Sequence, residues 1–244
     1  MSKTPTMLEM LKAGVHFGHR SSKWHPNMGP YIFTTKKNVH IINLEATEQK
    51  LKETLQVVQD LAANGKTILF VGTKNQASAV IEKYAKECGM PYITNRWLGG
   101  MLTNFKHVST VARKLTKLKA DRESGDLKKY TKKEQLEFDR EIERLDSIVG
   151  GVENLMKLPD VVFIVDLQEE KTALREAKQL NLPIIAICDS NVDPKQVDYP
   201  IPGNDDAVKS IELLVKALAG AVLDGKQNPV VATVPAAPAV TPSV

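Results

Sequence analysis

Acidic side chains at the ends of apolar runs are the residues of this sequence that most resemble a catalytic group. The group comprises Asp166, Asp189, Asp193, Asp205 and Asp206. Carboxylates gathered in this way can hold Mg²⁺ or share a proton. Asp205 and Asp206, however, follow Pro-Gly-Asn at the expected start of a helix, where capping and the helix dipole explain acidic residues without chemistry. Because no serine or cysteine nucleophile with a nearby base is recognisable, the sequence predicts that the protein is not an enzyme.

Lys74 follows the first long apolar run, in the kind of strand-to-helix turn where nucleotide-binding folds hold a phosphate. The turn reads GTKNQ and contains neither GxGxxG nor GxxxxGK followed by serine or threonine. A phosphate contact and an ordinary solvated lysine both remain open. A nucleotide- or Mg²⁺-dependent α/β enzyme that uses Lys74 and the aspartates therefore stays as an alternative function. No cofactor is predicted.

Four histidines lie close together near the N-terminus, and they raise the question of a metal site. They are His16, His19, His25 and His40. A zinc site needs at least three converging ligands, and no neighbouring cysteine or HExxH motif completes such a set. The sequence therefore predicts hydrogen-bonding or stacking roles and no metal ligand. Cys88 and Cys188 lie within or beside apolar runs, and we expect both thiols to be buried and reduced.

Basic residues concentrate in the connections between predicted elements, where they accompany tryptophan and histidine. One loop holds Arg20, Lys23, Trp24 and His25, a hairpin turn holds Lys36 and Lys37, and a third loop holds Arg96 and Trp97. Loop cations suit contacts with phosphates, and the rings can stack on an exposed base or ribose. Trp97 is either such a contact or a hydrophobic plug. A protein-interaction adaptor without nucleic-acid contact remains a second alternative function.

The elements that position these residues follow from the apolar pattern. Continuous apolar runs alternate with amphipathic stretches, which predicts a parallel sheet that is buried on both faces and sandwiched between helices. The predicted strands are TILFV (67–71), VVFIV (161–165) and IIAIC (184–188), with PYIT (91–94) and YPI (199–201) as shorter ones. Near the N-terminus, YIFT and VHII are expected to form two strands joined by a tight basic turn, while 15–30 is expected to be irregular.

The segment 104–150 interrupts this alternation. Its apolar residues step by three and four along two otherwise charged arms, and a polar turn separates the arms. Narrow apolar seams of this kind predict an antiparallel coiled-coil hairpin, and two ordinary helices lying on the sheet are the alternative. The preceding stretch NRWLGGMLTN should let the chain leave the sheet sharply, with Asn104 capping the first arm.

Composition bounds the domain organisation. The chain has 244 residues, 42% of them hydrophobic, which supports a packed core, and a net charge of +4 that barely favours a nucleic-acid partner. The start lacks an apolar targeting segment and no run reaches membrane-spanning length, so a cytoplasmic location is expected. We expect an α/β domain over 1–103 and 151–225, a hairpin insertion over 104–150 and a flexible Ala/Pro-rich tail over 226–244.

Several motifs together resemble the bacterial second protein of the small ribosomal subunit. They are LKAGVHFGHR, W-x-P-x-M from Trp24 to Met28, VHIINLE, ILFVGTK, NRWLGGMLTN, LPD before an apolar strand, and IPGNDDA. They occur in the family's order from about Leu8 to Gly225, which is nearly the whole chain. NRWLGGMLTN and IPGNDDA form a specific pair.

The resemblance implies a Rossmann- or flavodoxin-like sheet interrupted by a protruding coiled-coil hairpin. It also implies a non-catalytic role on the solvent side of the small subunit, between head and body. There the family contacts small-subunit ribosomal RNA and neighbouring ribosomal proteins, and it helps to recruit the large multi-OB-domain ribosomal protein that captures messenger RNA. The residues predicted to contact RNA are Arg20, Lys23, Trp24, His25, Lys36, Lys37, Lys74, Arg96, Lys106, Arg113, Lys114 and Lys117.

Overall fold

The computed structural model describes residues 4–228, which form seven helices and eight strands besides short 3₁₀ turns. In chain order they are α1 (Met7–Ala13), β1 (Phe17–Arg20), β2 (Ile32–Lys36), β3 (Val39–Ile42), α2 (Leu44–Ala63), β4 (Ile68–Val71), α3 (Asn75–Cys88), β5 (Tyr92–Ile93), α4 (Phe105–Ser124), α5 (Lys132–Val149), β6 (Val161–Val165), α6 (Lys171–Gln179), β7 (Ile184–Cys188), β8 (Tyr199–Pro202) and α7 (Val208–Gln227). The predicted tail begins at 226, but α7 continues to Gln227, and 229–244 lie outside the described residues.

Five parallel strands form the main sheet, in the order β5-β4-β6-β7-β8. Every residue of β4, β6 and β7 is buried, as their continuous apolar sequences predict. Successive side chains point to opposite faces, so each strand supplies two separate cores. The prediction of a parallel sheet between helices is confirmed.

The first core lies between the sheet and helices α2, α3 and α7. The rings of Phe70 and Phe163 meet edge to face at its centre, with centroids 5.3 Å apart. Helix α7 packs closely on α2, because a Cβ at Gly225 would collide with the carbonyl oxygen of Gln59. Only glycine permits this approach of the two backbones. The last helix of the described chain is therefore locked against a helix near its beginning.

The second core lies on the opposite face and joins α6, the stretch before α4, and the bases of α4 and α5. Val108 and Leu115 of α4 and Ile142 and Leu145 of α5 are buried there with sheet residues. Beyond Leu115 no described side chain of α4 is buried. Burial therefore falls off towards the tip of the two-helix hairpin, as expected for an insertion that leaves the domain. Its coiled-coil character stays a prediction.

Ion pairs connect the two arms of the hairpin. Lys114 Nζ lies 2.9 Å from Glu141 Oε1, and Arg122 Nε lies 3.2 Å from Asp139 Oδ1. Such exposed pairs contribute at most about 1 kcal/mol each. The arms are therefore held together mainly by the apolar contacts at their base. The ion pairs help to align α4 with α5 along their length.

A second, antiparallel sheet in the order β1-β3-β2 packs beside the carboxyl ends of the main strands. The backbone N–H of His25 donates to the carbonyl oxygen of Ser190 (2.8 Å), and that of His19 donates to Ser190 Oγ (2.7 Å). Lys37 and Asn38, both with positive φ, form the two-residue turn between β2 and β3, which confirms the tight basic turn. Strand β1 corrects the expectation of irregular chain over 15–30.

Candidate nucleic-acid interface

Three of the predicted RNA-contacting cations meet at one end of the small sheet. Arg20 of β1 and Lys36 of β2 both pair with Val39, because β3 runs between their strands, and Lys37 follows in the adjoining turn. Two strand spacings separate the backbones of Arg20 and Lys36, about 10 Å. All three side chains are exposed, and no described carboxylate lies within 4 Å of them. Arg20, Lys36 and Lys37, together with the exposed Lys23 of the neighbouring 3₁₀ turn, are called the sheet-end cations below.

Trp24 and His25 lie in the loop beside these cations but differ in exposure. The Trp24 ring packs on His40, with centroids 5.1 Å apart, and keeps 41% of its surface exposed. A ring fixed on one side and open on the other is suited to stacking on a base or ribose. His25 is half-buried, and its Nδ1 accepts a hydrogen bond from the N–H of Asn27 (3.2 Å). His25 thus caps a 3₁₀ turn, so its Nδ1 is already engaged and only part of its ring is accessible to RNA.

The loop NRWLGGMLTN wraps around one buried carboxylate. Glu176 of α6 accepts hydrogen bonds at Oε1 from Trp97 Nε1 (3.0 Å) and the N–H of Gly100 (2.8 Å). Its Oε2 accepts from the N–H groups of Leu102 (3.0 Å) and Thr103 (3.1 Å) and from the Thr103 hydroxyl (3.1 Å). Trp97 is therefore a buried plug and not the exposed nucleic-acid contact that the sequence left open. The adjacent Arg96 is exposed.

Glu176 is a structural residue that was not predicted from the sequence. Burial acts to raise its pKa, but the hydrogen bonds from Trp97, Gly100, Leu102 and Thr103 outweigh burial and hold the pKa below its ordinary value. The signal was present in the sequence, because Glu176 lies on the apolar face of α6, three residues after Ala173. A charged residue on such a face must have partners, and here they are loop groups 73 to 79 positions away.

Gly100 gives the loop a backbone conformation that other residues avoid. Its φ is +91°, and a Cβ there would lie 3.2 Å from Asn104 Cβ, whereas a Cβ at Gly99 would meet no heavy atom within 4 Å. We expect Gly100→Val to cost about 1–3 kcal/mol of stability and Gly99→Val much less. Hydrogen exchange should show faster opening of α4 and α5 with the main strands protected. Equal loss of protection in strands and hairpin would contradict this expectation.

Asn104 immediately precedes α4 but its side chain makes no capping hydrogen bond, so that detail of the expected cap is wrong. The backbone instead continues the turn, with the N–H of Asn104 donating to the carbonyl oxygen of Gly100 (2.8 Å). The direction of the hairpin thus depends on Gly100 and on Glu176 rather than on a polar cap.

The basic residues of α4 form a stripe. Lys106, Arg113 and Lys117 are spaced by seven and four residues, which places them on one face of the helix, and all three are exposed without a described carboxylate within 4 Å. Lys114 is exposed too, but it binds Glu141. Hydrogen bonds from Arg144 and Lys114 lower the pKa of Glu141 to about 2. Lys106, Arg113 and Lys117 are called the α4 stripe below.

Lys74 does not join these cations. Its Nζ lies 2.9 Å from Asp166 Oδ2, 3.2 Å from Asp205 Oδ1 and 2.6 Å from Asp206 Oδ1, and its side chain is largely buried. It is therefore not the solvated loop lysine that the sequence left open, and the predicted RNA contact of Lys74 has no geometric support. Asp205 and Asp206 are likewise not helix caps. The Asn204 side chain accepts the N–H groups of Asp206 (2.8 Å) and Ala207 (3.2 Å) at this turn.

Comparison with known proteins agrees with this architecture. The family described as Ribosomal protein S2 matches residues 10–225. The relatives named "Small ribosomal subunit protein uS2" include those of a Nitratiruptor species, 48% identical over 222 residues (91% of this chain, 83% of the relative), and Campylobacter curvus, 48% identical over 221 residues (91% and 84%). The uS2 of Campylobacter fetus subsp. fetus is 47% identical over 221 residues (91% and 86%).

A five-stranded α/β sheet with a two-helix hairpin and outward-facing cations belongs to a fold class that carries many functions, so the family and not the fold decides the role. The chain belongs to the ribosomal protein S2 family, whose members are structural and non-enzymatic. In the described residues no helix has the length and apolar character needed to cross a lipid bilayer.

Proposed function

We propose that this chain, a structural constituent of the small ribosomal subunit, binds folded ribosomal RNA through the sheet-end cations and the α4 stripe. The observation that carries the proposal is the distribution of unpaired positive charge. In the described chain, most of the loop and hairpin cations predicted to contact RNA are exposed and lack a carboxylate partner, whereas Lys74 is neutralised inside. The location that follows is the cytoplasm, on ribosomes.

The mechanism is electrostatic anchoring. Each lysine or arginine that meets a phosphate releases condensed counterions from the RNA, and the gain in entropy drives association. Arg20, Lys36 and Lys37 project from a stiff sheet end, and the α4 stripe projects from a helix, so the two groups grip different parts of a rigid surface. Trp24 adds a stacking surface beside the sheet-end cations. Shape and charge placement, not chemistry, then determine where the protein binds.

A finer part of the proposal concerns the multi-OB-domain ribosomal protein. Helix α1 leaves Leu8 (60%) and Leu11 (50%) exposed, and Phe17 of β1 is 50% exposed nearby in the chain. Large apolar side chains grouped on a surface mark a place that a protein partner can cover. We propose that this surface takes part in recruiting that protein to the subunit.

Sedimentation of the purified chain with small-subunit particles that lack it tests both parts. We expect the chain to pellet with the particles at about 0.05 M salt and to be released as salt approaches several tenths molar, with a steep log–log slope. The multi-OB-domain protein should pellet in larger amount when the chain is present. Association that ignores salt would support the adaptor function instead, and unchanged recovery of the multi-OB-domain protein would refute the recruitment.

A further inference from the structure

Polar side chains from four strands and a neighbouring sheet converge at the carboxyl end of the main sheet. Asp166 follows β6, Asp189 follows β7, Asp205 and Asp206 follow β8, and Lys74 follows β4. His19 enters from β1 of the small sheet. These six residues are called the edge cluster. None of them is used by the proposed RNA contacts.

Negative charge exceeds positive charge in the edge cluster. Lys74 is shared among Asp166, Asp205 and Asp206, and His19 faces Asp189 and Asp206. Even with His19 protonated, two positive groups face four carboxylates. Asp166, Asp189 and Asp205 are buried, so water cannot screen the remaining charge. A site of this kind is stabilised by an added cation.

One carboxylate oxygen in the edge cluster has no partner. Asp205 is fully buried, its Oδ1 binds Lys74, and its Oδ2 accepts no hydrogen bond from the described residues. A buried acceptor without a donor costs free energy unless something binds it.

Three side chains of the edge cluster have the spacing of metal ligands, and the contact of His19 Nε2 with Asn191 Nδ2 (3.4 Å) is one that a bound ion would replace. Potential ligand atoms of His19, Asp205 and Asp206 all lie within 4.8 Å of one another, and His19 Nε2 is 3.4 Å from Asp206 Oδ2. Two ligands that each bind zinc at about 2.0–2.1 Å in tetrahedral geometry are roughly 3.4 Å apart. Lys74 occupies the Oδ1 atoms of Asp205 and Asp206 and leaves their Oδ2 atoms available.

Asp189 completes the arrangement from behind. Its Oδ1 lies 3.1 Å from His19 Nδ1, which is an ion-pair distance without the geometry of a hydrogen bond, while Nε2 faces Asp206. Metal-binding histidines are commonly oriented by such a carboxylate, which fixes the tautomer and makes the imidazole a stronger ligand. We propose that His19, Asp205 and Asp206 bind one divalent transition-metal ion, with Zn²⁺ preferred over Mg²⁺ because one ligand is an imidazole.

The site would link the two sheets. His19 belongs to β1, whereas Asp205 and Asp206 follow β8, at the opposite end of the described chain. A bound ion would fix the small sheet, and with it the sheet-end cations, against the main sheet. Metal binding can be measured on the isolated chain without RNA, so its test is independent of the test of RNA binding.

Metal binding is tested by titrating Zn²⁺ into the purified, chelator-treated full chain, with Co²⁺ as a spectroscopic probe of the ligand geometry. We expect one equivalent of Zn²⁺ to bind, a rise in thermal midpoint, and a tetrahedral Co²⁺ spectrum. His19→Gln and Asp205→Asn should each weaken Zn²⁺ binding by about 100-fold or more. The matched control His107→Gln changes an exposed histidine of α4 and should leave Zn²⁺ affinity within about twofold of wild type.

Circular dichroism shows whether each variant is folded, and His19→Gln, at a partly buried strand position, decides the matter if Asp205→Asn is unstable. Full Zn²⁺ affinity in a folded His19→Gln variant would overturn the proposal. So would Zn²⁺ binding no tighter than Mg²⁺ binding. A wild-type chain that binds Zn²⁺ but does not bind small-subunit particles would count against the proposed function alone.

Discussion

Replacing Arg20, Lys36 and Lys37 together with glutamine lowers the affinity for small-subunit particles by about 10- to 100-fold near 0.1 M salt. The reason is that three unpaired cations at one end of the small sheet no longer displace counterions. The slope of log affinity against log salt becomes shallower by about two to three units. Sedimentation or filter binding across a salt series measures both quantities.

A matched control separates local contacts from general charge. Lys52, Lys178 and Lys216 are exposed on α2, α6 and α7 and belong to neither contact group, and replacing them with glutamine removes the same three charges. We expect that variant to keep nearly the wild-type affinity and slope. Equal weakening by the two triple variants would show that net charge, rather than placement at the sheet end, drives the association.

Glu176→Gln destabilises the protein by about 2–5 kcal/mol. The amide cannot accept at both terminal atoms, so its NH₂ replaces either Oε1, which accepts from the Trp97 indole, or Oε2, which accepts from the N–H of Leu102. In either orientation the NH₂ faces donors that the carboxylate had satisfied. Urea unfolding measures the loss, and Glu169→Gln, an exposed change just before α6, is the control. A Glu176→Gln variant as stable as the control would mean that the loop does not depend on this carboxylate.

The same substitution predicts a pH dependence. The pKa of Glu176 is lower in the folded protein than its ordinary value of 4.5, so the unfolded chain binds more protons between the two values. The stability that Glu176 contributes is therefore fully present above about pH 4.5 and falls as the solution is acidified towards the folded pKa. The difference in free energy of unfolding between wild type and Glu176→Gln should shrink over that range.

The strands of the main sheet could be predicted because the signal for each one lies within its own short segment of sequence. Strands β4, β6 and β7 are continuous apolar runs, and no polar residue interrupts them. Strand β1 could not be predicted in this way, since Phe-Gly-His-Arg has no buried residue and no alternation. It forms because β3 pairs with it and Ser190 binds its backbone, two contacts made by distant parts of the chain.

The candidate RNA-binding residues also divide into those whose surroundings the local sequence predicts and those whose surroundings depend on distant parts of the chain. The exposure of Arg96 follows from its position in a connection, and Arg20 and Lys36 are exposed at the ends of β1 and β2, next to connections that the sequence shows directly. Lys74 lies in an equally ordinary connection, but its side chain turns inward because aspartates of other connections gather beside it. Only the order of the strands in the sheet brings those aspartates together, and the apolar pattern does not specify that order.

The locking of α7 onto α2 has a consequence for how the chain matures during synthesis. Helix α2 emerges early, yet the surface that covers it is supplied by the last twenty described helical residues, and Gly225 must reach Gln59 for the backbones to nest. Until α7 has been synthesised, one apolar side of α2 has no cover. The growing polypeptide is thus exposed to aggregation and chaperone capture until α7 has folded onto α2.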